Sequence, residues 1–177
     1  MRAALYALLA LLVSGCGYRA GFALREGTTI GVTLFDNRSR ERDIEAELHA
    51  QLTDSVQRMV GATLATPARS DYRIEGSVID YRRRSGIRDP DNVRLESGVR
   101  VVVQARLVRA VASSGDPSSP TNVLREVTVA DERGFLFSDP LGEETARAEV
   151  LRNVCDRIVI ELFADMAWHD EFPRRRS

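Results

Sequence analysis

Val99-Arg100-Val101-Val102-Val103-Gln104-Ala105-Arg106-Leu107-Val108-Arg109-Ala110-Val111 is the stretch on which the fold turns. Val99, Val101, Val103, Ala105 and Leu107 alternate onto one side. Arg100, Gln104, Arg106 and Arg109 share the opposite side with Val102 and Val108. Period-two alternation of β-branched residues predicts a long strand with one face in a core and one in water, as in an antiparallel sheet.

Working outward, Val123 to Ala130 reads as the strand that returns after Ser113 to Pro120, a polar hairpin tip rich in Ser, Gly and Pro. Asp131 to Asp139 reads as irregular, with Phe135 and Phe137 as anchors. On the other side, Asp71 to Arg83 alternates at Tyr72, Ile74, Gly76 and Val78, and Ile79 and Tyr81 then break the period. A strand with a bulge, or one with a two-sided end, accounts for that break. Thr28 to Phe35 is a further strand, with Ile30, Val32 and Leu34 on one face. Asp36 to Ser39 follows as a turn in which Asn37 or Ser39 is positioned to cap a helix.

Two segments carry helical spacing. From Arg40 to about Val60 the apolar residues Ile44, Leu48, Leu52, Val56 and Met59/Val60 draw one stripe, and Gly61 ends the helix. Thr63 to Thr66 adds a few extended residues before Pro67. From about Glu143 to Trp168, Leu151, Cys155, Ile158, Leu162 and Met166 draw the second stripe. The order β-α-β-β-β-α makes an α+β protein: a two-layer sandwich of about four strands with two long helices packed on one face.

Ahead of this domain stands Met1-Arg2, an uninterrupted apolar run from Ala3 to Val13, then Ser14-Gly15-Cys16. The run is too short to span a bilayer, which takes about 20 residues. Its charge, length and small-residue exit are those of a secretory signal peptide, and the cysteine directly after Gly15 resembles the bacterial lipobox. That resemblance implies cleavage before Cys16 and lipidation of its thiol, each buried methylene holding the chain to the membrane by roughly 0.8 kcal/mol. Gly17 replaces the Asp that commonly retains such proteins at the inner membrane, so the outer membrane, periplasmic side, is the expected location. The chain then divides into 1–15 signal peptide, 16–27 lipidated cysteine and tether, 28–168 a single domain, and 169–177 a basic tail.

The 177 residues carry 25 basic and 26 acidic side chains, every basic one an arginine. No global field attracts nucleic acid. Guanidinium forks match phosphate geometry, so an anion site here would be built from arginine. Arg82, Arg83, Arg84 and Arg88 crowd a polar loop near Gly86 and Asp89-Pro90-Asp91, either as a solvated turn or as an anion-binding end of the domain. By alternation Arg82 and Arg84 share one strand face and Arg83 points away. With Cys16 lipidated, Cys155 is the remaining thiol; its place on the helical stripe reads as a buried, inert residue. His49 on the exposed part of the first helix and His169 near the tail show no metal spacing. There is no phosphate-binding glycine loop and no base for Ser39 or Ser55, which argues against an enzyme, and no cofactor is implied.

Cys16-Gly17-Tyr18 with Gly21, Ile30-Gly31-Val32-Thr33-Leu34-Phe35 leading into Asn37, the helix that follows, Ser70-Asp71-Tyr72-Arg73-Ile74-Glu75-Gly76 and the long terminal helix together resemble the lipopolysaccharide-assembly lipoproteins of the LptE family. Ser70-Asp71 stands where Ala-Asp is commonly met. The resemblance covers nearly the whole mature chain. It implies a non-enzymatic subunit of the outer-membrane lipopolysaccharide translocon, seated in a large β-barrel partner of the LptD type and in contact with lipopolysaccharide. A polar barrel lumen suits a compact, lipid-anchored sandwich. A different periplasm-facing lipoprotein adaptor, a regulator of cell-wall synthesis or a secretion-complex accessory, would share the lipobox and the α+β core.

Overall fold

The computed structural model describes Phe22, Leu24, residues 27–109 and residues 122–164. The signal peptide, Cys16, the Ser113–Pro120 tip, Met166 and the 169–177 tail lie outside the described residues. The described elements are β1 (Thr29–Val32), β2 (Asp36–Asn37), α1 (Ile44–Val60), β3 (Thr63–Leu64), a 3-10 turn at Pro67–Arg69, β4 (Tyr72–Ser85), β5 (Glu96–Arg109), β6 (Asn122–Leu136) and α2 (Gly142–Phe163).

One mixed sheet runs in the order β3-β1-β4-β5-β6, with β2 paired to β4. β1, β2 and β3 pair in parallel, while β4, β5 and β6 form an antiparallel meander. The four expected strands are its body, and the two-residue β2 and β3 extend one side. Both helices cover the same face. Val99, Val101, Val103, Ala105 and Leu107 of β5 are fully buried beneath them, as the alternation requires. Ile44, Leu48, Leu52 and Val56 of α1 and Leu151, Cys155, Ile158 and Leu162 of α2 complete the core. Val154, Val159 and Phe163 are also buried, because α2 packs against α1 as well as the sheet.

β4 is bulged where its period breaks. Val78 pairs with Val103 and Asp80 with Val102, so Ile79 is the extra residue. An extra residue reverses the parity of everything after it. Ile74 and Val78 face the helices before the bulge, and Tyr81 and Arg83 after it; Asp80, Arg82 and Arg84 are thereby turned to the open face. Gly61 adopts φ 65° at the end of α1, a left-handed conformation that ends the helix at little steric cost to glycine.

Several expectations are corrected. Leu34 does not continue the buried face of β1; it is 63 % exposed, and Phe35 is 2 % exposed. The strand ends at Val32, and the kink before β2 drives the larger Phe35 ring inward over Gly76, where a Cβ would stand 2.8 Å from that ring and 2.1 Å from the Gln104 carbonyl. Asp36 and Asn37 form β2 rather than a turn, and neither Asn37 nor Ser39 caps α1. The helix starts at Ile44 behind Asp43, and Asn37 instead accepts from Ser39 and donates to the Glu41 carbonyl (2.7 Å), holding the preceding bend. Residues 131–136 are strand, not irregular: their polar side chains are tolerated because Glu96 to Val101 supply the ladder opposite. Arg109 pairs with Tyr72 and lies over its ring at 5.6 Å, on the helix side of the sheet. His49 is half-buried, its Nδ1 3.3 Å from the Thr33 carbonyl oxygen.

Candidate functional site

The sheet's two faces treat arginine differently. On the helix side, Arg83 pairs with Glu143 at the start of α2 and lies 4.0 Å from Glu41. Beside it Arg147, only 18 % exposed, forks onto Glu47 at 2.8 and 2.6 Å and reaches Glu41 at 2.6 Å. Its guanidinium stacks 5.4 Å from the Tyr81 ring centre. Burial is the largest single influence on Arg147 and works against its charge, but the hydrogen bonds and charges of Glu47 and Glu41, with Tyr81, together outweigh it, so its pKa lies above the ordinary arginine value. The Tyr81 hydroxyl, buried with no hydrogen-bond partner among the described residues, has its pKa pushed up by burial. These groups lock β4 to both helices and leave little for a ligand.

On the open side, Arg82 and Arg84 stand with Asp80 around a shallow hollow of about 380 Å³, and Arg100 of β5 forms its other wall. Arg82 is directly opposite Arg100 in the antiparallel register. Opposed like charges on neighbouring strands repel unless something negative sits between or beside them. Asp80 takes Arg82 at 2.7 Å and Glu132 takes Arg84 at 2.6 Å. Among the described residues no carboxylate ion-pairs with Arg100. Three guanidinium groups against two carboxylates leave a net positive hollow, and Arg82, at 72 % exposed, is open to solvent.

The arginine cluster seen in the sequence is therefore split. Arg82 and Arg84 meet at the hollow, and Arg83 is spent on Glu143. Arg88, in the loop, donates to the Asn92 carbonyl (2.9 Å) and to its side-chain oxygen (3.1 Å), which steadies the turn. Arg100 is the residue that sequence reasoning missed as a site member. Its position on the polar side of β5 was legible; its pairing with Arg82 depends on the register across a ten-residue loop.

Among the described residues no group of three or more His, Cys, Asp and Glu side chains could hold a metal ion. The Cys155 thiol is buried, burial raises its pKa strongly, and its sulfur donates weakly to the Leu48 carbonyl at 3.7 Å. No described helix is long and apolar enough to cross a membrane.

Similar folds occur in other bacterial proteins. The PelC dodecamer subunit of Paraburkholderia phytofirmans superposes with TM-score 0.54 at 16 % identity, over 81 % of this chain and 93 % of that one. Lipoprotein B of Nitrosomonas europaea gives 0.52 at 17 % identity, over 89 % and 96 %. A protein of Xanthomonas campestris gives 0.53 at 14 % identity, over 81 % and 87 %. At such identities the likeness is one of fold alone. No curated protein sequence matches. Residues 27–166, most of the chain and all of the sheet and helices, match the family described as lipopolysaccharide-assembly, LptE, and the chain therefore belongs to the LptE family.

Proposed function

We propose that this protein is a non-enzymatic lipoprotein subunit of the lipopolysaccharide-assembly machinery, tethered through lipidated Cys16 to the periplasmic side of the outer membrane. In this reading it supports a large β-barrel partner of the LptD type and offers lipopolysaccharide an anion site on the open face of its sheet. Family membership supports the assembly role and the outer-membrane setting. The observation that carries the site is the register that sets Arg82 against Arg100, with Arg84 beside them. Guanidinium groups paired in this way match the phosphates of a lipid A headgroup, and a bound phosphate relieves their mutual repulsion. Arg83 and Arg88, occupied by Glu143 and Asn92, contribute shape rather than binding.

Two experiments test the two halves of the reading. Cys16→Ala should abolish incorporation of labelled palmitate and release the protein from outer-membrane fractions, and a wild-type chain that takes up no label refutes the anchor. For the site, the full chain in mild detergent should bind lipopolysaccharide with an affinity that falls steeply with salt, since exposed charges are screened over about 8 Å at physiological ionic strength. Arg82→Glu with Arg84→Glu and Arg100→Glu should weaken that binding at least tenfold and leave co-purification of the barrel partner intact. Wild-type binding by the triple variant removes the site.

A further inference from the structure

Among the described residues β6 is the last strand of the sheet, fifteen residues long and bonded to β5 on one side alone. An unpaired edge of that length is a template for another strand, and folded proteins usually blunt it. Here the middle is blunted. Arg157 of α2 donates to the Ala130 carbonyl at 2.9 Å, and Asn153 holds Asp131 at 3.0 Å. Beyond this point no described side chain reaches the edge backbone.

The direction of the remaining groups follows from two contacts. The Phe137 N–H donates to the Leu95 carbonyl at 3.1 Å, toward β5, and the Ala130 carbonyl is met by Arg157 from outside. Along a strand the backbone groups of alternate residues point to opposite edges. Glu132 and Gly134 therefore present both N–H and C=O outward, while Arg133 is paired to Val99 and Phe135 to Ser97. At Gly134 a Cβ would meet only the Ser97 carbonyl, at 3.6 Å, so the edge is not sterically crowded there. On its helix side lies a groove of about 290 Å³, with Phe135 and Ala146 in its lining. The ion pair of Arg133 with Glu149, at 2.8 Å, closes it.

We infer that the edge at Glu132 to Gly134, short of Leu136 whose carbonyl already accepts from the Asp139 N–H at 3.1 Å, is a strand-addition site that takes an extended segment of a partner protein, with one apolar side chain of that segment seated in the groove. Outward backbone groups supply the ladder, and a pocket for an alternate side chain supplies selectivity, as in other β-augmentation sites. Charge argues against a second copy of this chain as the occupant. Antiparallel self-pairing centred on Arg133 sets two guanidinium groups face to face. Centred on Gly134, it sends each Arg133 toward the other copy's groove, beside the arginine already there. The inference does not depend on the anion site, which occupies the other side of the sheet.

The test uses the full chain in detergent as bait for a phage-displayed library of random twelve-residue peptides. Selected peptides should share an apolar residue within an alternating pattern. Their affinity should fall at least tenfold with Gly134→Pro, which removes an outward N–H without touching the β5 ladder, and stay within twofold with Gly134→Ala. Backbone hydrogen exchange gives a readout even if the proline variant misfolds: the selected peptide should protect the amides of Glu132 and Gly134 and leave those of Arg133 and Phe135 unchanged. Failure to enrich any peptide, equal binding by Gly134→Pro, or uniform protection overturns the inference. So does a wild-type dimer in sedimentation that Gly134→Pro dissociates, because the edge then belongs to a second copy.

Discussion

The two halves of β4, before and after Ile79, are built from one continuous strand and are put to opposite uses. Before the bulge, even-numbered residues enter the core: Ile74 and Val78 are fully buried, and Gly76 gives room to Phe35. After it, odd-numbered residues turn to the helices, and the even-numbered arginines Arg82 and Arg84 are set on the open face. Had the parity continued, those two guanidinium groups would have been directed at the helices, at a desolvation cost that an unpaired charge cannot recover. One inserted residue thus converts a core strand into the wall of a charged hollow. Stability is concentrated on one face of the sheet, and the binding chemistry proposed here is concentrated on the other.

The comparison is broken most severely by putting charge on the wrong face. Leu52→Asp or Ile158→Asp buries an unpaired carboxylate between helix and sheet, where both residues are fully enclosed. Each should cost about 4 kcal/mol or more. Thermal melting should fall by more than about 10 °C for a domain of this size. Little change in either variant would mean that the buried stripes are misassigned.

A smaller effect is expected at the pivot of the first half. Gly76→Ala forces a methyl group against the Gln104 carbonyl and the Phe35 ring, and overpacking of that kind costs about 1–3 kcal/mol. Equilibrium denaturation in urea should record the loss as a lower midpoint at constant slope. An unchanged midpoint would mean that Phe35 is not anchored over the strand.

The smallest effect sharpens the contrast. Arg82→Glu, Arg84→Glu and Arg100→Glu alter exposed groups whose ion pairs are worth under about 1 kcal/mol each. Combined, they should move the melting temperature by no more than a few degrees, as differential scanning fluorimetry would record. A collapse of the fold would place these arginines among the groups that hold the sheet together.

Much of this division was legible in the residues themselves. Alternation along β5 and the four-and-three spacing of α1 depend on local periodicity, and the buried residues follow them closely. The broken period at Ile79 and Tyr81 marked the bulge. What escaped was non-local. Leu34 and Phe35 are both apolar, and only the kink into β2 decides which turns inward. Residues 131–136 look irregular in isolation because their order comes from β5. Arg100 gave no signal as a site member, since its role arises from facing Arg82 across the hairpin. Asn37 has a capping residue's chemistry, but the chain carries it into β2, where its amide serves the bend instead.

Neighbouring arginines on β4 allow the central claim to be tested directly, because Arg82 and Arg83 are adjacent in sequence and on opposite faces. The measurement is melting temperature and lipopolysaccharide affinity, taken side by side on Arg83→Glu and on Arg82→Glu with Arg100→Glu. Arg83→Glu sets a carboxylate against Glu143 and Glu41, so it should lower the melting temperature by a few degrees and leave affinity within about twofold. The open-face pair should do the reverse, with melting near wild type and affinity reduced at least tenfold. If both variants lose affinity equally, or if only Arg83→Glu does, the bulge does not sort binding from folding and the account fails.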